Sequence, residues 1–168
     1  MMKKRKVYLE SSALWSLYYK ETGWDLVEFT IHESSLSAII SSWGLLEIER
    51  AIQKRLNQEE LSRQEARTLR DFIDIDVKQL VFNSQLAVIP VSNEIMEHAK
   101  ELIPRYNLFA ADALHLATAA HQQCSIALVD DYHFKRLSNE IERDLAVSII
   151  PLSKTPGEYT SMFHPEDT

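Results

Sequence analysis

Two short apolar runs end in acid, and that pattern restricts the fold more than any other feature of the chain. Val7-Tyr8-Leu9 runs into Glu10, and Ile126-Ala127-Leu128-Val129 runs into Asp130-Asp131. Runs of this length and continuity read as strands covered on both faces, as in a parallel sheet. Ligands of open parallel sheets bind outside the carboxyl ends of the strands. Carboxylates gathered there repel one another unless a hard cation neutralises them, so such placement points to a Mg²⁺ or Mn²⁺ site.

Apolar runs alternate with longer helical patterns along the rest of the chain. The expected strands are 6–10, a weak 35–38, 86–90, 125–129 and 146–150. Between them, helices are expected from Ser12 as N-cap to about Lys20 and from Ser42 to Leu56. Another runs from the capping box Ser62-Arg63-Gln64-Glu65 to Phe82. Ser92 caps a helix ending before Pro104, one spans Leu108 to Gln122, and Asp130 or Asp131 caps a short one reaching Leu137. Strands alternating with helices give an α/β fold with a central, mostly parallel sheet between helical layers. Residues 1–150 are expected to form one domain, with 151–168 a tail that is loosely ordered or wrapped on the surface.

With 168 residues, the chain has the length of one domain. Three glycines leave no phosphate-binding glycine loop. The single Cys124 excludes an intramolecular disulfide and suggests a reducing compartment. The basic start Met1 to Lys6 precedes too short an apolar run for a signal peptide, and nothing approaches the roughly 18 apolar residues of a membrane span. The expected location is cytoplasmic.

A net charge of −7 argues against broad nonspecific nucleic-acid binding. Basic residues are nonetheless grouped: Lys3 to Lys6; Arg50, Lys54 and Arg55; Arg63, Arg67 and Arg70. Each group is either a solvated face or part of a phosphate track.

Four segments carry a family resemblance. Tyr8-Leu9-Glu10-Ser11-Ser12-Ala13-Leu14 is similar to a Y-L-D-S-S-A-L opening. Glu47 to Ala51 is similar to E-x-x-R-A. Asp112-Ala113-Leu114-His115-Leu116-Ala117-Thr118-Ala119 matches D-A-L-H-L-A-T-A, and Leu128 to Phe134 is similar to V-T-N-D-x-x-F. In this order they resemble the PIN domain family, over about residues 6–150, and within it the toxin (VapC-like) ribonuclease branch. Glu10 stands where the family usually has Asp, and Val129 where it usually has Thr or Ser.

The resemblance implies a three-layer α/β/α fold and metal-dependent hydrolysis of RNA phosphodiester bonds. It implies Glu10, Glu47, Asp112 and Asp131 as catalytic and metal-binding residues, with Asp130 as a further carboxylate. Ser11, Arg50 and His115 are candidates for substrate contact. Ser11 or Ser12 is placed to orient a metal-bound water, and His115, three residues after Asp112, either packs or touches substrate. The expected partners are an RNA substrate, a second copy in a homodimer, and an antitoxin protein received near the aromatic set Trp15, Tyr18, Tyr19 and Trp24. A competing reading is a catalytically degenerate PIN domain that binds RNA or protein. A magnesium phosphatase or receiver-like domain is disfavoured, because no D-x-D follows the first strand.

Overall fold

Five parallel strands order the molecule, and the computed structural model describes residues 4–130 and 132–161. The strands are β1 (Arg5–Leu9), β2 (Leu36–Ser41), β3 (Leu86–Ile89), β4 (Ile126–Val129) and β5 (Ser148–Pro151), in spatial order β3-β2-β1-β4-β5. Val7 pairs with Ala38 on one side and Ile126 on the other. The central strand is therefore the first in the chain. From it the sheet grows to β2 and β3, then the chain crosses back to lay down β4 and β5. The reversal falls between β1 and β4, which is where an open sheet of this order leaves a crevice.

Parallel strands need crossovers, and helices supply them. α1 (Ser11–Tyr19) and α2 (Trp24–His32) link β1 to β2; α3 (Ser42–Asn57) and α4 (Arg63–Phe82) link β2 to β3. α5 (Asn93–Tyr106) and α6 (Ala110–His121) lead to β4, α7 (Tyr132–Arg136) and α8 (Ser138–Leu145) to β5, and α9 (Pro156–Ser161) follows. Alternate strand residues face opposite layers. Val7, Leu9, Ala38, Ile40 and Leu128 pack with Leu14, Leu26, Ile48 and Val77 in one core. Tyr8, Ile39, Ala127, Val129 and Ile149 pack with Ile95, Leu116, Phe134 and Ile141 in the other. The expected α/β/α architecture is the one observed.

Several boundaries differ from expectation. β2 extends to Ser41 because Ile39 and Ile40 continue the buried run, and Ser41 then caps α3 through its side chain. β5 starts only at Ser148, since Ala146 takes a left-handed conformation (φ 55°) that ends α8. The N-cap of α1 is Glu10, not Ser12: the Glu10 carboxylate accepts from the Ser12 backbone N–H. α5 runs through Pro104 to Tyr106, the buried Leu102 and Tyr106 holding its last turn on the core. α2 lies where the sequence pattern predicts no helix. It starts after Gly23, whose φ of +86° and close approach to Leu152 leave no room for a side chain. Beyond Pro151 the chain is not merely draped on the surface: Tyr159 of α9 is fully buried, edge-on to Phe29.

Candidate metal and nuclease site

Glu10 leaves the end of β1 at the sheet's reversal, its backbone N–H donating to Leu128 O of β4 (3.1 Å). Its side chain is held on three sides. Ser11 Oγ donates to Oε1 at 2.6 Å, the Ser12 N–H donates to Oε2 at 3.1 Å, and Ser12 Oγ donates to Oε2 as well. Both serines thus serve the carboxylate, and Ser12 Oγ also accepts from the Asp130 N–H (3.3 Å), tying the end of β4 to the same knot.

Glu47 comes from the second turn of α3 and meets His115 of α6. Glu47 Oε2 lies 2.6 Å from His115 Nε2, and Glu10 Oε1 lies 3.6 Å from the same nitrogen. One ligand atom from each of Glu10, Glu47 and His115 can be chosen so that all lie within 4.8 Å of one another. His115 is buried, 2% exposed, and its other nitrogen lies 2.7 Å from the Tyr8 hydroxyl. Tyr8 Oη is in turn 3.0 Å from Ser41 Oγ, which accepts from the Gly44 N–H. A nitrogen facing a carboxylate must carry the proton. Nε2–H then donates to Glu47 and Nδ1 shares a hydrogen bond with Tyr8, whose phenol stays protonated because burial pushes its pKa up. The result is a relay from the Ser41 cap through Tyr8 and His115 to Glu47.

Burial alone would raise the Glu47 pKa. The hydrogen bond and charge of His115, helped by Ser11 and Trp43, outweigh it and hold the carboxyl below its usual value.

Asp112 sits in the first turn of α6, half-buried, one turn before His115 on the same helix face. Its carboxylate lies outside the 4.8 Å group. Asp130 is exposed and pairs with Lys135 at 3.7 Å, and Asp131 lies outside the described residues. Arg50 is exposed one turn beyond Glu47, and Val129 is buried in the second core. The two glutamates offer hard oxygen donors, which suit a divalent cation of the magnesium or manganese kind. Sequence reasoning treated His115 as packing or as a substrate contact and passed over Tyr8. Nothing in an apolar run flags one aromatic as polar, and only the crossing of α6 over β1 makes the pair.

The PIN domain family model matches residues 7–140. The chain belongs to the PIN domain family. Among solved structures, this PIN domain is similar in fold to a chain of FitAcB from Neisseria gonorrhoeae, with TM-score 0.62 and 12% identity over 89% of this chain and 99% of that one. A chain of VapBC2 from Rickettsia felis, bound to a DNA fragment from their promoter, aligns with TM-score 0.56 and 16% identity, covering 87% and 98%. A chain of a toxin–antitoxin complex from Klebsiella pneumoniae aligns with TM-score 0.55 and 19% identity, covering 89% and 97%. No curated protein sequence matches the chain.

Proposed function

We propose that this PIN domain is a metal-dependent endoribonuclease and the toxin of a toxin–antitoxin pair. The observation that carries the reading is the convergence of Glu10 and Glu47 on His115 at the crevice where the sheet reverses. Glu10, Glu47, Asp112 and Asp131 would hold Mg²⁺ or Mn²⁺, with Asp130 nearby. When bound, the cation supplies an activated water and offsets the charge that builds at the phosphate.

The chain's own residues prepare that site. The hydrogen bonds from Ser11 and Ser12 fix the Glu10 carboxylate. His115, anchored by Tyr8, orients Glu47 and keeps it ionised. Such supporting contacts keep ligating carboxylates in place before the ion arrives. Glu10 serves although it is longer than the family's usual Asp, because it is drawn back onto the α1 N-terminus by Ser12.

The toxin reading also implies a cytoplasmic homodimer that receives an antitoxin protein. Among the described residues no helix is long and apolar enough to cross a membrane. The exposed apolar side chains Phe72, Ile75 and Phe82 on α4 offer a partner face beside Tyr18, which meets Phe72 edge-on. Trp15, by contrast, is buried, so a charge there would harm the fold rather than an interface.

The test is cleavage of single-stranded RNA with Mn²⁺ or Mg²⁺ by wild type, Glu47→Gln and Asp112→Asn. Wild type should cut, chelation should stop it, and both variants should lose most of the rate. A wild type that cuts no RNA with either ion would instead support the binding-only reading.

A further inference from the structure

The α3–α4 hairpin carries a group of cations beside Glu47, and their pairing is uneven. Arg70 donates to Glu49 (2.8 Å) and Gln53 (3.1 Å), and Arg55 is held by Glu21 and Glu60 at 2.6 Å each. Arg50, Lys54, Arg63 and Arg67 are exposed, and among the described residues their side chains have no ion-pair or hydrogen-bond partner. A charge left unpaired amid available acids is usually a solvated cation, so its position decides its meaning. Glu47, Arg50 and Lys54 stand at i, i+3 and i+7, a single stripe on α3. At 1.5 Å per residue the two cations follow Glu47 by about 4.5 and 10.5 Å along the axis. Arg63, Arg67 and Arg70 stand at i, i+4 and i+7 on α4, and Arg70 shows that this face turns towards α3. The two stripes share one edge of the hairpin.

The edge is also locally positive in an acidic protein. Arg70 neutralises Glu49, and Glu47 is engaged by His115, so Arg50 and Lys54 are in excess. A groove of about 570 Å³ opens from Glu47 along this edge, lined by Trp43, Leu46, Glu49, Arg50, Gln53 and Arg70, with Glu49 paired to Arg70. Leu46 is 59% exposed there, although it is a leucine on a helix that packs its other face well. Exposed apolar surface beside unpaired cations suits a base and its phosphate: single strands are bound by stacking surfaces alongside a positive groove.

We propose that the α3–α4 edge is the track along which single-stranded RNA leaves the acidic site, with a base over Trp43 and Leu46 and phosphates on Arg50 and Lys54, then on Arg67 and Arg63. This rests on the ribonuclease reading above and adds the path of the substrate. The alternative occupant, an acidic segment of a protein partner, is separated by the test.

Equilibrium binding of a short fluorescent single-stranded RNA is measured in EDTA, so that binding is read apart from cleavage, between about 50 and 200 mM salt. Cleavage with Mn²⁺ is measured in parallel. Each lost phosphate contact should flatten the plot of log affinity against log salt by about 0.7 for Arg50→Ala and about 1.4 for Arg50→Ala/Lys54→Ala. Arg50→Lys should restore most of the slope. Lys100→Ala, on α5 and already paired with Glu97, should leave it unchanged. If wild type binds and cuts but the double variant keeps the wild-type slope, the track is wrong and the edge is left to a protein partner. If wild type neither binds nor cuts RNA, the ribonuclease reading fails and the track with it.

Discussion

His115 stands between Glu47, at 2.6 Å, and Tyr8, at 2.7 Å, so an acidic side chain on α3 is oriented by a phenol inside the central strand. On the reading proposed above, His115 is a positioning residue. Removing such a supporting contact typically weakens metal binding by about 10–100-fold. His115→Ala is expected to lower Mn²⁺ affinity within that range by calorimetry, and Tyr8→Phe to lower it less. Unchanged affinity in His115→Ala would take Glu47 out of the metal set.

The capping duty of Glu10 and its proposed duty as a metal ligand can be separated. As N-cap of α1 it needs an oxygen acceptor; as a ligand it needs a charge. Glu10→Gln keeps the acceptor and loses the charge. Stability by thermal melting should change by less than about 1 kcal/mol, the usual worth of a cap. Metal binding should fall sharply. Glu10→Ala should lose both.

Gly44 lies in the first turn of α3 between Ile40 and the His115 ring. An added Cβ would come 2.9 Å from Ile40 Cγ1 and 3.5 Å from His115 Cε1. Alanine would gain about 1 kcal/mol of helix propensity, but overpacking a buried position costs about 1–3 kcal/mol. Crowding wins because Ile40 is fully buried and cannot swing away. Gly44→Ala should lower the midpoint of thermal unfolding and weaken metal binding through the displaced imidazole.

Much of this arrangement was legible beforehand, for reasons that differ by element. Runs such as Val7 to Leu9 and Ile126 to Val129 announce buried parallel strands because both faces must be apolar. The box at Ser62 and Glu65 announces α4 because two side chains reciprocally satisfy free backbone N–H groups. The capping role of Glu10 was not legible, since Ser12 is the commoner cap by type and only the chain direction leaving β1 decides between them. Nor was α2, whose start depends on the unusual φ of Gly23 and its contact with Leu152, 129 positions later. Position 131, central to the sequence argument, lies outside the described residues.

Asp144 gives a pH signature away from the site. Its carboxylate is held down to about 2 by hydrogen bonds from Arg143 and Tyr106, with Arg105 adjacent. A lowered folded pKa contributes stability that is fully present above the unfolded value near 3.9 and is lost as pH falls through about 2. Acid unfolding of wild type and Asp144→Asn should therefore differ by a constant amount above about pH 5 and converge towards pH 2. Parallel curves at all pH values would contradict the pairing.

The apolar side chains of α4 are expected to be an interface. Phe82 is 89% exposed, and Phe72 and Ile75 are also largely exposed. Exposed positions tolerate substitution within about 0.5 kcal/mol, so Phe72→Glu/Ile75→Glu should melt as wild type does. Light scattering at tens of micromolar should report a dimer for wild type and monomers for the variant, or loss of antitoxin binding with the dimer intact. A wild-type monomer that also ignores antitoxin would leave this face without a partner.

The acids at the crevice are supplied by residues far apart in the chain. Tyr8 and His115 are 107 positions apart, and His115 and Glu47 are 68 apart. Long-range contacts of this kind form late, after the costly closure of the intervening chain. A ribosome emits the amino-terminal half first, and that half holds Glu10 and Glu47 but not the imidazole that poises them. Synthesis must pass α6 and β4 before the site can close, so on the toxin reading proposed above a truncated or still-emerging chain is unarmed, and harm to a host would begin only with a finished fold.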